Sequence, residues 1–135
     1  MFCLDTNIAI EIMNRRAPRL EERLRAEKAL RTRLFLPAVA LFELRYGAAK
    51  SEFPARNGAR VETFLLAVPE VAPFDSLDAA EAGAIRAQLE MRGEPIGQYD
   101  YLIAAQARRR GAALVTLNRR EFERVPGLIV TDWAA

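Results

Sequence analysis

The chain has 135 residues, 51% of them hydrophobic, and a formal net charge of +2. That length suits a single domain with a core of its own, and no apolar run approaches the roughly 18 residues needed to cross a membrane. Histidine is absent and Cys3 is the only cysteine, which excludes Ser-His-Asp and Cys-His nucleophilic chemistry, an internal disulfide, and the usual nitrogen and sulfur zinc sites.

The opening "MFCL" is a short apolar strand closed by Asp5-Thr6-Asn7, residue types that favour helix starts, so a helix running to about Met13 is expected. It has neither the basic region nor the long apolar stretch of a signal peptide, and a lone cysteine suits a reducing compartment. A cytoplasmic protein without a membrane partner is therefore expected. After Pro18, Leu20, Leu24 and Leu30 interleave with charges as an amphipathic, solvent-facing helix. "RLFLP" reads as a second strand ended by Pro37, and "AVALFELRYGAAK" as a helix with periodicity through Val39, Phe42, Glu43 and Tyr46.

A helix over about Ala59 to Ala67 follows, then a third strand, "EVAPF", and a long helix from Ser76 to Met91 capped at Ser76 or Asp78. Gly93 and Pro95 break the chain before the helix "YDYLIAAQA", in which Ile103, Ala104 and Ala107 define an inward face with Asp100 at its head. "AALVTLN" is a fourth strand, "REFERV" a short helix, Pro126-Gly127 a turn and "LIVTDW" a last strand. Strands alternating with helices predict one α/β domain over residues 1–135, with a parallel sheet of four to five strands covered by helices on both faces.

In such sheets ligands bind beyond the carboxyl ends of the strands. Asp5 follows the first strand and Asn118 the fourth, so topology puts both at that edge, although Asp5 also fits a simple helix cap. Glu43 and Asp100 lie on largely apolar helices, where an unpartnered carboxylate is costly. Three acids on apolar elements have one economical explanation, a shared divalent cation. Oxygen ligation without His or Cys favours Mg²⁺, with Mn²⁺ as substitute. A carboxylate-held ion of this kind activates water for phosphodiester hydrolysis. Of the 20 cations 18 are arginines, whose forks match phosphate, although GC-rich coding gives the same excess.

These stretches together resemble the PIN-domain ribonucleases, and more closely the VapC toxins of bacterial toxin–antitoxin pairs. The resemblance rests on "LDTN" at 4–7, "FELRYG" at 42–47, "PIGQYDYLIAAQA" at 95–107 and "LVTLNRREFERVPGLIVTDW" at 114–133, four motifs in order over nearly the whole chain. It implies a PIN-like fold and a Mg²⁺-dependent endoribonuclease acting on transfer or ribosomal RNA. A VapB-type antitoxin would inhibit it, and a homodimer and toxin–antitoxin hetero-oligomers are expected. Carried over to these motifs, Asp5, Glu43 and Asp100 are metal ligands, with Asn118 as a further catalytic group. Thr6, Asn7 and Thr116 are supporting donors behind the ligands.

Two departures stand out. Many relatives carry a fourth acid where this chain has Asn118, which leads to an expectation of one well-held ion rather than two. Relatives often place Ser and Thr before the glutamate, where this chain reads "PAVALFE". Arg108 and Arg110, in the triplet closing the Asp100 helix, are candidates for RNA or antitoxin contact, or else simply complement the helix C-terminus. Tyr99 is a candidate for base stacking. The rival reading is a catalytically impaired PIN-like module that only binds RNA or a protein partner.

Overall fold

The computed structural model describes residues 1–134. Five strands form one parallel sheet: β1 (Phe2–Leu4), β2 (Leu34–Pro37), β3 (Val71–Ala72), β4 (Ala113–Val115) and β5 (Val130–Thr131), in the order β3-β2-β1-β4-β5. The strand formed first in the chain is therefore central. Phe2 and Cys3 pair with Leu34 and Phe35 on one side, and Phe2, Cys3 and Leu4 with Ala113, Leu114 and Val115 on the other. Strands buried on both faces read as continuous apolar runs, which is why "MFCL" and "LFLP" show no alternation.

The helices are α1 (Thr6–Met13), α2 (Pro18–Ala29), α3 (Ala38–Ala49), α4 (Pro54–Ala67), α5 (Ser76–Met91), α6 (Gln98–Arg109) and α7 (Arg119–Phe122). Helices α1 to α4 pack among themselves, and α5 packs along α6. Right-handed crossovers place these two groups on opposite faces, because the chain moves toward β3 first and back past β1 afterwards. The core between them includes the fully buried Leu4, Ile8, Phe35, Ile85, Ile103 and Leu114, each contributing roughly 1.5–3 kcal/mol by leaving water.

Some local expectations need correction. Helix α4 begins at Pro54, where a proline at the first turn loses no hydrogen bond, rather than near Ala59. The cap of α5 is Asp75: its carboxylate accepts from the backbone of Leu77 and Asp78, and the Asp78 side chain accepts from the Asp75 N–H. In α3 the buried residues are Ala40, Leu44 and Ala48, whereas Phe42 and Tyr46 point outward. Leu30 is exposed just past the end of α2, and Glu27 is buried there instead, held by Arg23 and Thr32. No helix among the described residues is long and apolar enough to cross a membrane.

Candidate functional site

The order β2-β1-β4 creates a crevice at the carboxyl ends of β1 and β4, where the chain leaves a central strand in opposite directions. Asp5 stands at its floor, the residue between β1 and α1. Its Oδ1 accepts from the backbone N–H of Thr6 at 2.8 Å and its Oδ2 from the Thr116 hydroxyl at 2.7 Å. Thr116 follows β4 directly, so the parallel pairing of Leu4 with Val115 brings together two residues 111 positions apart. Burial pushes the Asp5 carboxyl up, the Thr116 and Thr6 hydrogen bonds pull it back, and the charge of Glu43 adds to the rise.

Glu43 reaches this edge from the middle of α3. Its Oε1 accepts from the Thr6 hydroxyl at 2.7 Å. That contact supplies the hydroxyl support that the apolar "PAVALFE" stretch lacks, from α1 rather than from α3 itself. Asn7 accepts from the backbone of Leu117 at 3.4 Å and so ties the two strand-end turns together.

Asp100 lies in the first turn of α6, half-buried, with Ile103, Ala104 and Ala107 fully buried on the same helix as expected. Burial, then the charges of Asp5, Glu121 and Glu43, push its carboxyl up to about 6. The turn before it is fixed by the Ile96 N–H donating to the Tyr101 hydroxyl at 3.1 Å and by Arg124 donating to the Pro95 carbonyl at 2.9 Å. Within that turn a Cβ on Gly97 would fall 2.6 Å from Asp100 Oδ2. Only glycine leaves the carboxylate its place.

Asn118 starts α7, but its side chain does not cap the helix. Its backbone N–H donates to the Thr116 hydroxyl at 2.9 Å and its amide donates to Glu121 Oε2 at 3.0 Å. Glu121, one helical turn on, thus brings a further carboxylate toward Asp100. The expectation of a single ion therefore no longer follows from a missing charge. Sequence reasoning passed over both Gly97 and Glu121. The available signals were a glycine three residues before an inward acid, and the Asn-x-x-Glu spacing that joins positions 118 and 121 across one turn.

The charge of Glu43 raises the Asp5 carboxyl, and those of Asp5, Glu121 and Glu43 raise that of Asp100. As placed, no group of three or more His, Cys, Asp or Glu side chains is drawn tightly enough to hold a metal ion among the described residues. An all-oxygen donor set with excess negative charge still fits a hard divalent cation, and Asp5, Glu43 and Asp100 are the side chains able to hold one.

The arginine triplet stands elsewhere. Helix α6 runs about 12 Å from Asp100 to Arg108, so the triplet sits toward the opposite edge of the sheet. Arg108 donates to Glu81 and, at 2.9 Å, to the Pro126 carbonyl. Arg109 and Arg110 converge on the fully buried Asp78, and Arg110 also donates to the Gln106 and Pro73 carbonyls. These guanidinium groups are engaged inside the fold, which argues against the expected role of Arg108 and Arg110 in RNA or antitoxin contact. Tyr99, by contrast, is exposed beside Asp100, with its ring edge-on to Phe42 at 5.5 Å.

Comparison with known proteins agrees with this geometry. The PIN domain profile matches residues 2–128. The chain is 41% identical over 133 residues to the tRNA(fMet)-specific endonuclease VapC of Shigella flexneri, covering 98% of each chain. It is 39% identical over 132 residues to Ribonuclease VapC2 of Haemophilus influenzae, covering 98% of this chain and 97% of the relative. In three dimensions it matches a chain in the crystal structure of DNA-bound VapBC from Salmonella typhimurium with a TM-score of 0.90 and 42% identity, over 98% of this chain and 97% of the other. A promoter-DNA-bound VapBC2 structure from Rickettsia felis matches at a TM-score of 0.90 and 32% identity, over 96% of each chain. With a matching fold, matching length and four motifs set around one strand-end crevice, the chain belongs to the PIN domain family, among its VapC members.

Proposed function

We propose that this protein is a Mg²⁺-dependent endoribonuclease, the toxin of a VapBC-type pair, that hydrolyses phosphodiester bonds of transfer RNA. The observation that carries this reading is the acid set itself: Thr6 bonds both Asp5 and Glu43, Thr116 holds Asp5 from the end of β4, and burial with the charges of Asp5, Glu121 and Glu43 pushes the Asp100 carboxyl up to about 6. A purely structural role for that arrangement has no physical return, because clustered like charges oppose folding. A bound Mg²⁺ would supply charge compensation, polarise the scissile phosphate and favour deprotonation of the attacking water.

The chain's own residues divide the remaining work. Asp5, Glu43 and Asp100 would hold the ion. Thr116 and the Thr6 backbone fix both oxygens of Asp5, and the Thr6 hydroxyl fixes one oxygen of Glu43, so the donor set is oriented before binding. Asn118 aims Glu121. With no histidine in the chain, proton transfer at the attacking water falls to carboxylates. Hydrolysis adds water across one P–O bond, the hydroxyl going to phosphorus and a proton to the leaving oxygen.

The relatives' names supply the first substrate to try, initiator transfer RNA. A cognate VapB-like antitoxin as partner is supported by the VapBC complexes that the fold matches. A homodimer and a cytoplasmic site of action complete the reading. The test is cleavage of initiator tRNA, then of a mixed tRNA and rRNA pool, by protein freed of any partner. Wild type and Asp100→Asn are compared with Mg²⁺, with Mn²⁺ and with chelator. Discrete fragments that need both the ion and Asp100 establish the activity. Intact RNA from folded protein that also fails to bind Mn²⁺ would return the function to a binding module.

A further inference from the structure

Glu43 borders a second feature besides the acid crevice. A cleft of about 410 Å³ between α1, α3 and α4 is lined by Glu43 at one end and by Arg56 and Arg60 along one wall. It continues into a hollow of about 620 Å³ between α1, α2 and α4 with Arg15 at its rim. The two share Met13, Asn14, Arg56 and Arg60, so they form one groove leading away from the carboxylates. Each part falls in the range of roughly 300–1,000 Å³ typical of binding clefts.

Three arginines, Arg15, Arg56 and Arg60, line this groove together. Nine arginines elsewhere are ion-paired: Arg16, Arg23, Arg33, Arg45, Arg86, Arg108, Arg109, Arg110 and Arg119. Of the nine without a salt bridge among the described residues, Arg19, Arg25, Arg31, Arg92, Arg120 and Arg124 lie outside the groove, whereas Arg15, Arg56 and Arg60 line it together. The acids lining the groove are Glu21 and, at the site end, Glu43. Arg56 and Arg60 lie four positions apart on α4 and so share a face. The Arg56 guanidinium stacks over Phe53 at 4.7 Å, which holds it without neutralising it. Arg15 sits at the end of α1 with φ +53°, a left-handed position that glycine occupies at lower cost. The floor, by contrast, is apolar, formed by Met13, Phe64 and Ala67.

A cationic wall over an apolar floor suits a single nucleic-acid strand, with phosphates on guanidinium groups and bases against the floor. We propose that this groove is the track for the single-stranded segment of the RNA substrate next to the scissile bond. Arg56 and Arg60 hold successive phosphates nearest the carboxylates, and Arg15 holds one further out. The proposal rests on the endoribonuclease reading and assigns its substrate path.

The experiment has two arms. Binding of a short labelled single-stranded RNA to Asp100→Asn protein in chelator is measured over a range of salt, with and without Arg56→Gln and Arg60→Gln together. Each lost phosphate contact should make the slope of log K against log salt shallower by about 0.7, so about 1.4 for the pair. In otherwise wild-type protein with Mg²⁺, the same pair should raise KM about ten-fold and leave kcat nearly unchanged. Arg92→Gln, an exposed arginine at the end of α5 and outside the groove, controls for net charge and should leave the slope unchanged. A folded double variant with the wild-type salt slope overturns the proposal and gives the groove to a protein partner. A slope that Arg92→Gln lowers equally also overturns it. Failure of the wild type to cleave any RNA refutes the nuclease reading instead, while the salt slope still decides whether RNA occupies the groove.

Discussion

Replacing Asp100 with asparagine should make the metal-free protein more stable while abolishing its activity. The Asp100 carboxyl, pushed up by burial and then by Asp5, Glu121 and Glu43, releases its proton at about 6, against about 3.9 in an unfolded chain. A carboxyl that holds its proton more tightly when folded favours the folded state at acid pH. That advantage is lost as pH rises from the unfolded value through about 6, and above it the fold bears the full repulsion. A difference of about two pH units corresponds to at most about 3 kcal/mol, and solvent screening of this half-buried group reduces it to about 1–2 kcal/mol. For a domain of this size each kcal/mol moves the melting temperature by roughly 3–5 °C. In chelator at about pH 8, Asp100→Asn should therefore melt roughly 3–10 °C above wild type, and the gap should close near pH 4. Mn²⁺ should raise the melting temperature of the wild type and leave that of the variant almost unmoved. A variant that melts lower than wild type at pH 8, or a gap that ignores pH, would refute the account of Asp100 as an uncompensated carboxylate.

Gly97→Ala places a methyl group where Asp100 Oδ2 now lies. Because φ at Gly97 is −59°, the backbone accepts alanine, so RNA cleavage should fall at least about ten-fold with thermal stability near wild type. Thr116→Val removes the hydroxyl that donates to Asp5 and accepts from Asn118; Mn²⁺ affinity, followed by calorimetry, should drop about 10–100-fold, with Thr116→Ser restoring most of it. Asp78→Ala strips the buried partner from Arg109 and Arg110 and should cost about 3–5 kcal/mol in urea unfolding. Burial pushes the Asp78 carboxyl up, but hydrogen bonds from Arg110 and Arg109 outweigh it and hold it well below the usual range. The stability it provides is thus complete above about pH 4 and fades only in stronger acid.

The order of elements was legible because the local signals agree with the global fold. "MFCL" and "LFLP" are apolar runs of strand length, and Pro18 and Pro54 open helices where a missing N–H does no harm. Asp5, Glu43 and Asp100 were legible for the opposite reason: each conflicts with its apolar surroundings, and only a function resolves such a conflict. What stayed hidden depends on contacts between distant elements. Nothing local to Glu43 reveals that the Thr6 hydroxyl holds it, nor that Phe42 and Tyr46 turn outward while small Ala40 and Ala48 face in. Arg108 and Arg110 read as free cations until the fold brings Glu81 and Asp78 beside them from α5. Glu121 was masked by its short polar helix, where an acid raises no conflict.

The hydrogen bond from Thr116 to Asp5 joins the fifth residue of the chain to one 111 positions later. During synthesis at roughly 5–20 residues per second, the amino-terminal strand therefore waits on the order of 5–20 s for its β4 neighbour. Until then β1 has no partner on that side, and Asp5 has neither Thr116 nor Asp100 beside it. A ribosome-bound fragment thus carries individual acids but no assembled centre. Hydrolytic capacity therefore waits until the β4 end has been made, and a growing chain that lacks it sits among ribosomal and transfer RNA without an assembled centre.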